Sequence, residues 1–393
     1  MAGSRNKENR WYGRAGAWSL RTRTAAACEG SSSSNCPRKR KARLQVEFLE
    51  IDGAHGEGGG SIVRTALALS ALTGQAVRIA NVRGGLQRPG VNPVDLALLR
   101  IFSHCTGAVS RGELGDSEIL FEPRAALRPY RGNLDIGKVA RVSPSGSATL
   151  IAQTLVVPLS QAGRLSGFRL RGGTHVPYAP THEYLEMVTL SALAEVGVGA
   201  WSSLAYAGYT SGGAGEMEME VEPSALCGFD FSAPGELLDA KAVVVTSELP
   251  EHVRSRGVER LEALARRDGL ELGVRVLRPQ SGAPGAAVTV TARMERGFGG
   301  GQSLGQRGKP MEEVVDEAYA GFIEFLNSGC GVDAHLADQL VLPAALCREH
   351  ASFTTSRVTP TLATVVWVVR QFIPVRLTLL GRENERGEIR VEP

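Results

Sequence analysis

One unit recurs along this chain and constrains its fold more than any other feature. From Leu44 onward a short strand runs into a Gly- or Ser-rich turn, a helix follows, and a glycine stops it. The first example is Leu44–Ile51, then Gly53-Ala54-His55-Gly56-Glu57-Gly58-Gly59-Gly60, a helix over Ser61–Thr73, and Gly74. The second opens on Ser143-Pro144-Ser145-Gly146-Ser147 and runs to about Gln161 and Gly163. The third comes after Gly172-Gly173-Thr174, with a helix from about Thr181 that places Leu185, Val188, Ala192 and Val196 on one face before Gly197. A fourth runs from Gly308 through Pro310, Glu312 and Glu313 to Gly329. Alternating strands such as Leu165–Arg171 and Glu216–Glu222 lie between the units. The pattern predicts an α+β fold of repeated strand-helix units, not a doubly wound parallel sheet.

Residues 227–301 break the rhythm. They read as strand (Lys241–Ser247), helix (Val253–Arg267, stopped by Gly269) and two strands (Leu272–Arg278, Ala286–Arg293), with the glycine run Gly297–Gly301 as punctuation. The expectation is a small domain at 227–301 inserted into a large one formed by 44–226 and 302–393.

The net charge of +3 hides an asymmetry. Residues 1–43 hold eleven Lys/Arg against Glu8 and Glu29, which is 11 − 2 = +9 and leaves 3 − 9 = −6 for the rest. A global basic field is therefore excluded, and nucleic acid would have to be met by local clusters. Segment 1–43, rich in Arg and Ser, is expected to be a disordered basic tail. A transit peptide, a nuclear-type run at Arg38–Lys41 and read-through upstream sequence all fit it. Six scattered cysteines without a C-x-x-C pair read as free thiols in a reducing compartment. The apolar stretch Leu362–Val369 is too short to span a bilayer. The expected location is cytoplasmic, or nuclear if the basic tail is a signal, with no membrane association.

Chemistry concentrates at Gly56-Glu57-Gly58-Gly59-Gly60-Ser61, which opens a helix. Glycines admit a ligand close to the backbone, and first-turn N–H groups favour a phosphate. Glu57 beside a phosphate makes sense with a divalent cation between them. The run is neither a Walker A loop nor a Rossmann fingerprint. On its own, a tight structural turn explains it equally well.

The wider run Asp52 to Arg64 resembles the opening signature of the RNA 3'-terminal phosphate cyclases. Further matching stretches come in order: Arg83 with Arg88-Pro89-Gly90, Ser145-Gly146-Ser147 with Gln153-Thr154, and Gly172-Gly173-Thr174 with Ala179-Pro180. Gly208-Tyr209 with Gly212-Gly213 and His335-Leu336-Ala337-Asp338-Gln339-Leu340 complete the set, over roughly residues 46–380. The resemblance implies a large domain of βαβαββ units like the C-terminal domain of initiation factor three, and a small inserted α/β domain of thioredoxin-like topology. It implies ATP and Mg2+ or Mn2+ as cofactors, RNA 3' ends as partner, and the capacity to form a homodimer. In that family a histidine attacks the α-phosphate of ATP. AMP then passes to an RNA 3'-phosphate, and the neighbouring 2'-hydroxyl closes a 2',3'-cyclic phosphate. Carried over, Glu57 is the metal ligand, and Arg64 and Arg83 handle phosphate. Gln153, Pro180, Asp338 and Gln339 surround the nucleotide, and His335 stacks on adenine.

The chain departs from this pattern at the nucleophile. In Thr359-Pro360-Thr361-Leu362-Ala363-Thr364-Val365, Thr361 takes the histidine's place and Val365 an asparagine's. Near Pro89-Gly90, Val94-Asp95 replaces a Gln-His pair and Leu86 an arginine. A threonine hydroxyl is a poor nucleophile without a base; His55, in the phosphate loop, and His335 are the substitutes within the motifs. The resemblance and the substitution together leave an ATP-dependent RNA 3'-phosphate cyclase or, alternatively, a catalytically inactive cyclase-like scaffold that binds nucleotide or RNA. An enolpyruvyl-transferase-like enzyme, built from similar repeats, lacks the matching motifs.

Overall fold

The computed structural model describes residues 46–141, 146–209 and 214–393. The basic tail 1–43, the Ser143-Pro144-Ser145 turn and Gly212-Gly213 lie outside the described residues.

Among the described residues, three sheets share one strand order. The first unit runs β1 (Leu49–Asp52), α1 (Gly60–Thr73), β2 (Val77–Ala80), α2 (Pro93–Thr106), β3 (Val109–Arg111) and β4 (Ile119–Glu122), ordered β1-β2-β4-β3. β1 and β2 are parallel, with Ile51 opposite Ile79, and the other pairs are antiparallel. A parallel pair needs a crossover, which α1 supplies. The second unit runs β5 (Arg131–Asp135), a short α3 (Ile136–Ala140), α4 (Ala148–Ser160) and β6 (Ser166–Gly172). It continues through α5 (His182–Tyr184), a π-helical segment (Leu185–Leu190), α6 (Ser191–Glu195), β7 (Ala200–Tyr206) and β8 (Gly215–Val221), ordered β5-β6-β8-β7. The helix expected from Thr181 thus exists, but its middle turn is wider than an α-helix.

The third unit starts with β9 (Phe229–Phe231) and is then interrupted by a fourth sheet. That sheet comprises β10 (Leu237–Ser247), α7 (Glu251–Asp268), β11 (Gly273–Leu277), β12 (Gly285–Met294), β13 (Gly297–Leu304) and α8 (Met311–Ser328), ordered β11-β10-β12-β13. The third unit resumes with α9 (Ala337–Leu346), β14 (Ala351–Thr355), α10 (Pro360–Phe372), β15 (Arg376–Leu380) and β16 (Gly387–Glu392). Its order, β9-β14-β16-β15, repeats the other two. The fold is mixed α+β, as the pattern predicts.

The sheets do not follow the limits 227–301. β9 pairs with β14 at the lower end, and the core of the fourth sheet runs on past Gly301 through Val315 and Phe322 of α8. The glycine run is strand rather than punctuation, because α8 lies directly on it. A Cβ on Gly299 would stand 2.7 Å from the Phe325 ring, and one on Gly301 2.1 Å from the Ala318 carbonyl oxygen.

The helices of the three repeats pack on one another: α1 against α2, α4 and α10, and α9 against α4 and α10. One apolar core spans them, from Ile62 and Leu67 through Leu155 to Leu340 and Val366. The start of α1 therefore meets residues from both other repeats.

Candidate functional site

The loop before α1 is shaped by what crowds it. Gly56 and Gly58 have φ of +58° and +56°, the left-handed region that glycine enters at no steric cost. A Cβ on Gly56 would lie 2.4 Å from Thr364 Oγ1 of α10, and one on Gly58 2.5 Å from Gly85. The loop is thus threaded between the last helix and the turn at 84–85. Thr364 fixes it there by accepting from the Glu57 N–H (3.1 Å) while donating to the Pro360 carbonyl (2.7 Å).

Glu57 sits where the N-termini of α1 and α10 converge, a place that favours a negative charge. Its carboxylate accepts from the hydroxyls of Ser61 and Thr361. α10 begins at this point because Thr359 caps it, its side chain accepting from the Leu362 N–H at 3.0 Å, and Pro360 occupies the first turn. So the residue at the expected nucleophile position does face the glycine loop, across 304 positions of sequence. His55 belongs to the loop itself, and its exposed ring stacks on Trp367 of α10, centroids 3.8 Å apart.

Arg64 and Arg83 reach over the first turn of α1. Each Nη1 lies 2.8 Å from the point where a Cβ on Gly60 would be, so a side chain at position 60 would push both guanidinium groups aside. Asp95 Oδ1 is 3.8 Å from the same point. Arg83 itself has a left-handed backbone (φ +55°). Two cations thus converge without an ion pair to either among the described residues, and burial pulls the Arg64 guanidinium below its usual range against the pull of Asp95, Asp338 and Glu57. An anion would relieve this crowding of charge.

Beside the arginines opens a cleft between four helices. Ser61, Arg64, Thr65 and Ala68 of α1 face Gln153, Thr154 and Val157 of α4, Asp338, Gln339 and Leu342 of α9, and Val365 of α10. Gln339 Nε2 donates to Asp338 Oδ1 at 2.8 Å. Burial pushes the Asp338 carboxyl up to about 6, against the pull of Gln339, His335 and Arg64. Four of the residues expected from sequence, Arg64, Gln153, Asp338 and Gln339, line this cleft together. Pro180 and His335 are not among its lining residues. Pro180 is buried, its carbonyl accepting from Thr149 at 2.7 Å, and His335 is exposed.

Sequence reasoning missed Asp333. Buried at 3% exposure, it accepts from the Tyr184 hydroxyl (2.8 and 2.7 Å), the Gly300 N–H (2.9 Å) and the N–H groups of His335 (2.7 Å) and Leu336 (2.8 Å). It ties the segment carrying His335, Asp338 and Gln339 to the second unit and to β13. Its only sequence signal is an aspartate shortly before a helix, a place where such a residue caps. Leu86 is exposed at 38% and brings no charge to the arginine turn.

Among the described residues no group of three or more His, Cys, Asp or Glu is placed to hold a metal ion. Glu57 fits a hard cation in one way, as a single carboxylate completing a site whose other ligands are phosphate oxygens and water, the usual habit of Mg2+. No described helix is long and apolar enough to cross a membrane.

Known proteins are similar to this chain over most of its length. A family model described as "RTC: RNA 3'-terminal phosphate cyclase" matches residues 55–379. A protein of Methylococcus capsulatus named RNA 3'-terminal phosphate cyclase is 36% identical, the match covering 88% of this chain and 97% of that one. One of the same name from Methanosarcina mazei is 34% identical over 86% of this chain and 98% of its own. A solved structure, the enolpyruvyl transferase NikO from Streptomyces tendae, overlays with a TM-score of 0.23 at 12% identity, over 56% of this chain and 38% of that one, too slight to carry an argument. With motifs in order, three units of one topology and near-full-length matches to proteins of that name, the chain belongs to the RNA 3'-terminal phosphate cyclase family.

Proposed function

We propose that this protein is an ATP-dependent cyclase that closes RNA 3'-phosphate ends to 2',3'-cyclic phosphates, releasing AMP and diphosphate. The observation that carries the reading is the meeting of Arg64, Gln153, Asp338 and Gln339 in one cleft beside the Arg64–Arg83 pair and Glu57. In it, Arg64 and Arg83 hold oxygens of the RNA 3'-phosphate, while Gln153, Asp338 and Gln339 position the nucleotide. His335 and Pro180 serve the adenine beyond the cleft. Mg2+ or Mn2+ held by Glu57 would neutralise triphosphate charge.

Thr361 decides the route. An AMP ester of threonine is a phosphodiester with an alkoxide leaving group, so it would be a dead end rather than a donor. AMP therefore passes directly. An oxygen of the RNA 3'-phosphate attacks the α-phosphorus of ATP and diphosphate leaves; the 2'-hydroxyl then attacks the 3'-phosphorus, losing its proton to solvent, and AMP leaves. A second reading, a catalytically silent member that binds nucleotide or RNA as a scaffold, draws on the same residue, whose hydroxyl is spent on Glu57.

The test is incubation of the native protein with α-labelled ATP, Mg2+ and an oligoribonucleotide ending in 3'-phosphate. The expected result is cyclic ends and AMP with no acid-labile protein–AMP adduct. Binding of both ligands without turnover would establish the scaffold instead. An adduct on His55 or His335 would refute direct transfer.

The strand orders also support a finer fold reading: repeats of the initiation factor three C-terminal type, and a fourth sheet of thioredoxin-like topology. RNA 3' ends as the partner, a homodimer and a cytoplasmic location belong to the same proposal.

A further inference from the structure

Asp95 stands at the back of the arginine pair, and its position needs explaining. It is fully buried. One oxygen, Oδ2, accepts from the Asn92 N–H at 3.1 Å, in the capping box that starts α2. The other, Oδ1, is buried without a hydrogen-bond partner, and so is Arg83 Nε. A capping role uses one carboxylate oxygen and leaves the second unexplained. An orphaned buried carboxylate oxygen is costly, and this one lies 3.8 Å from the point over Gly60 where the two Nη1 groups converge.

We infer that Asp95 sets the charge of the phosphate that Arg64 and Arg83 accept, matching the pair to a singly charged phosphate and against a doubly charged terminal monoester. With Asp95 ionised the trio carries a net single positive charge, where the arginines alone would carry two. Burial pushes its carboxyl up to about 6, which leaves it ionised at pH 7.5.

The inference rests on the proposed function in one respect, that the arginine pair holds the phosphate of the RNA end. It then gives Asp95 a part in the chemistry. A 3'-phosphomonoester carries nearly two charges at neutral pH. Once joined to AMP, or once cyclised, the same phosphorus carries one. A site of net +1 disfavours the monoester relative to the adenylylated and cyclic forms, and such differential binding promotes a reaction. Asp95 touches no substrate in this scheme; it is a positioning residue acting through the two guanidinium groups.

The experiment measures binding at pH 7.5 and fixed salt of one labelled oligoribonucleotide ending in 3'-phosphate, 2',3'-cyclic phosphate or 3'-hydroxyl. Native protein, Asp95→Asn and Arg83→Gln are compared, with Mg-ATP affinity measured in parallel. Native protein should hold the cyclic end more tightly than the monoester. Asp95→Asn, which can keep the cap, should bind the monoester roughly tenfold more tightly and invert the order, since one unit charge is removed at close range. Arg83→Gln moves the charge the other way and should weaken the monoester more than the cyclic end. This second arm stands if Asp95→Asn does not fold. An unchanged ratio between the two ends in both variants overturns the inference. So does a change confined to Mg-ATP, which would assign the anion to the nucleotide. Equal loss at all three ends in Arg83→Gln would show that the arginines do not read the end, and would count against the proposed function's assignment rather than against Asp95 alone.

Discussion

Glu57 is held by hydroxyls on both sides, and among the described residues no group of three or more His, Cys, Asp or Glu is placed to hold a metal ion with it. A cation should therefore bind only together with a nucleotide whose phosphates supply the remaining ligands. Calorimetry should show no binding of Mg2+ or Mn2+ alone, and ATP with either should raise the melting temperature. At a hundred times its dissociation constant the nucleotide stabilises by about 2.7 kcal/mol, and Glu57→Ala should abolish the metal-dependent part of that shift. Metal binding without nucleotide would contradict this picture. At this scale the sequence is most legible where the residues that meet at the candidate site form a short contiguous motif, as in Gly56–Ser61 or Asp338-Gln339. It is least legible where a residue acts through distant partners. Asp333 collects donors from three separate segments, and no local pattern announces that.

At the scale of elements, the lesson comes from β13. A run of glycines in a sequence without neighbours reads as a break, and only the helix laid across it shows why side chains are missing. Gly301→Ala would press a methyl against the Ala318 carbonyl (2.1 Å) and the Phe322 nitrogen (2.8 Å), both backbone atoms that cannot step aside. The expected cost is about 1–3 kcal/mol, read as a lower denaturation midpoint. Gly308→Ala, where a Cβ meets nothing within 4 Å, is a poorer control because its φ is +85°; Ala283→Gly or a surface substitution serves better. An unchanged midpoint for Gly301→Ala would mean that α8 is not seated on the strand. The same sequence signals that misled at β13 served well elsewhere. Gly74, Gly269 and Gly329 end their helices as expected, because a helix terminus is a local event and a helix crossing a sheet is not.

Across the whole molecule, buried titrations pull stability in opposite directions. Burial drives the His182 imidazole down to about 4, with Glu183 resisting and His175 and Arg275 assisting. Between pH 6.5 and 4 the unfolded chain then binds the proton that the folded chain refuses, so this contribution is complete above about 6.5 and lost on acidification, by about 3 kcal/mol. Asp95 and Asp338, each raised to about 6, act the other way, binding protons in the folded state first and gaining stability as pH falls. The net profile is a partial cancellation, and His182→Gln should uncover it. From pH 7 to 4, the variant should lose about 3 kcal/mol less than the native protein in urea titrations; parallel profiles would place His182 in contact with solvent. A last consequence comes from the bond between Thr361 and Glu57, 304 residues apart. During synthesis at about 5–20 residues per second, roughly 15–60 s separate the appearance of the two residues. Once Arg83 has been added, the nascent chain carries both arginines and the glycine loop but lacks the helix that closes over them. On the proposed reading, the glycine loop is completed as a nucleotide site only once α10 has been made, and a chain cut short before Thr361 should bind no ATP.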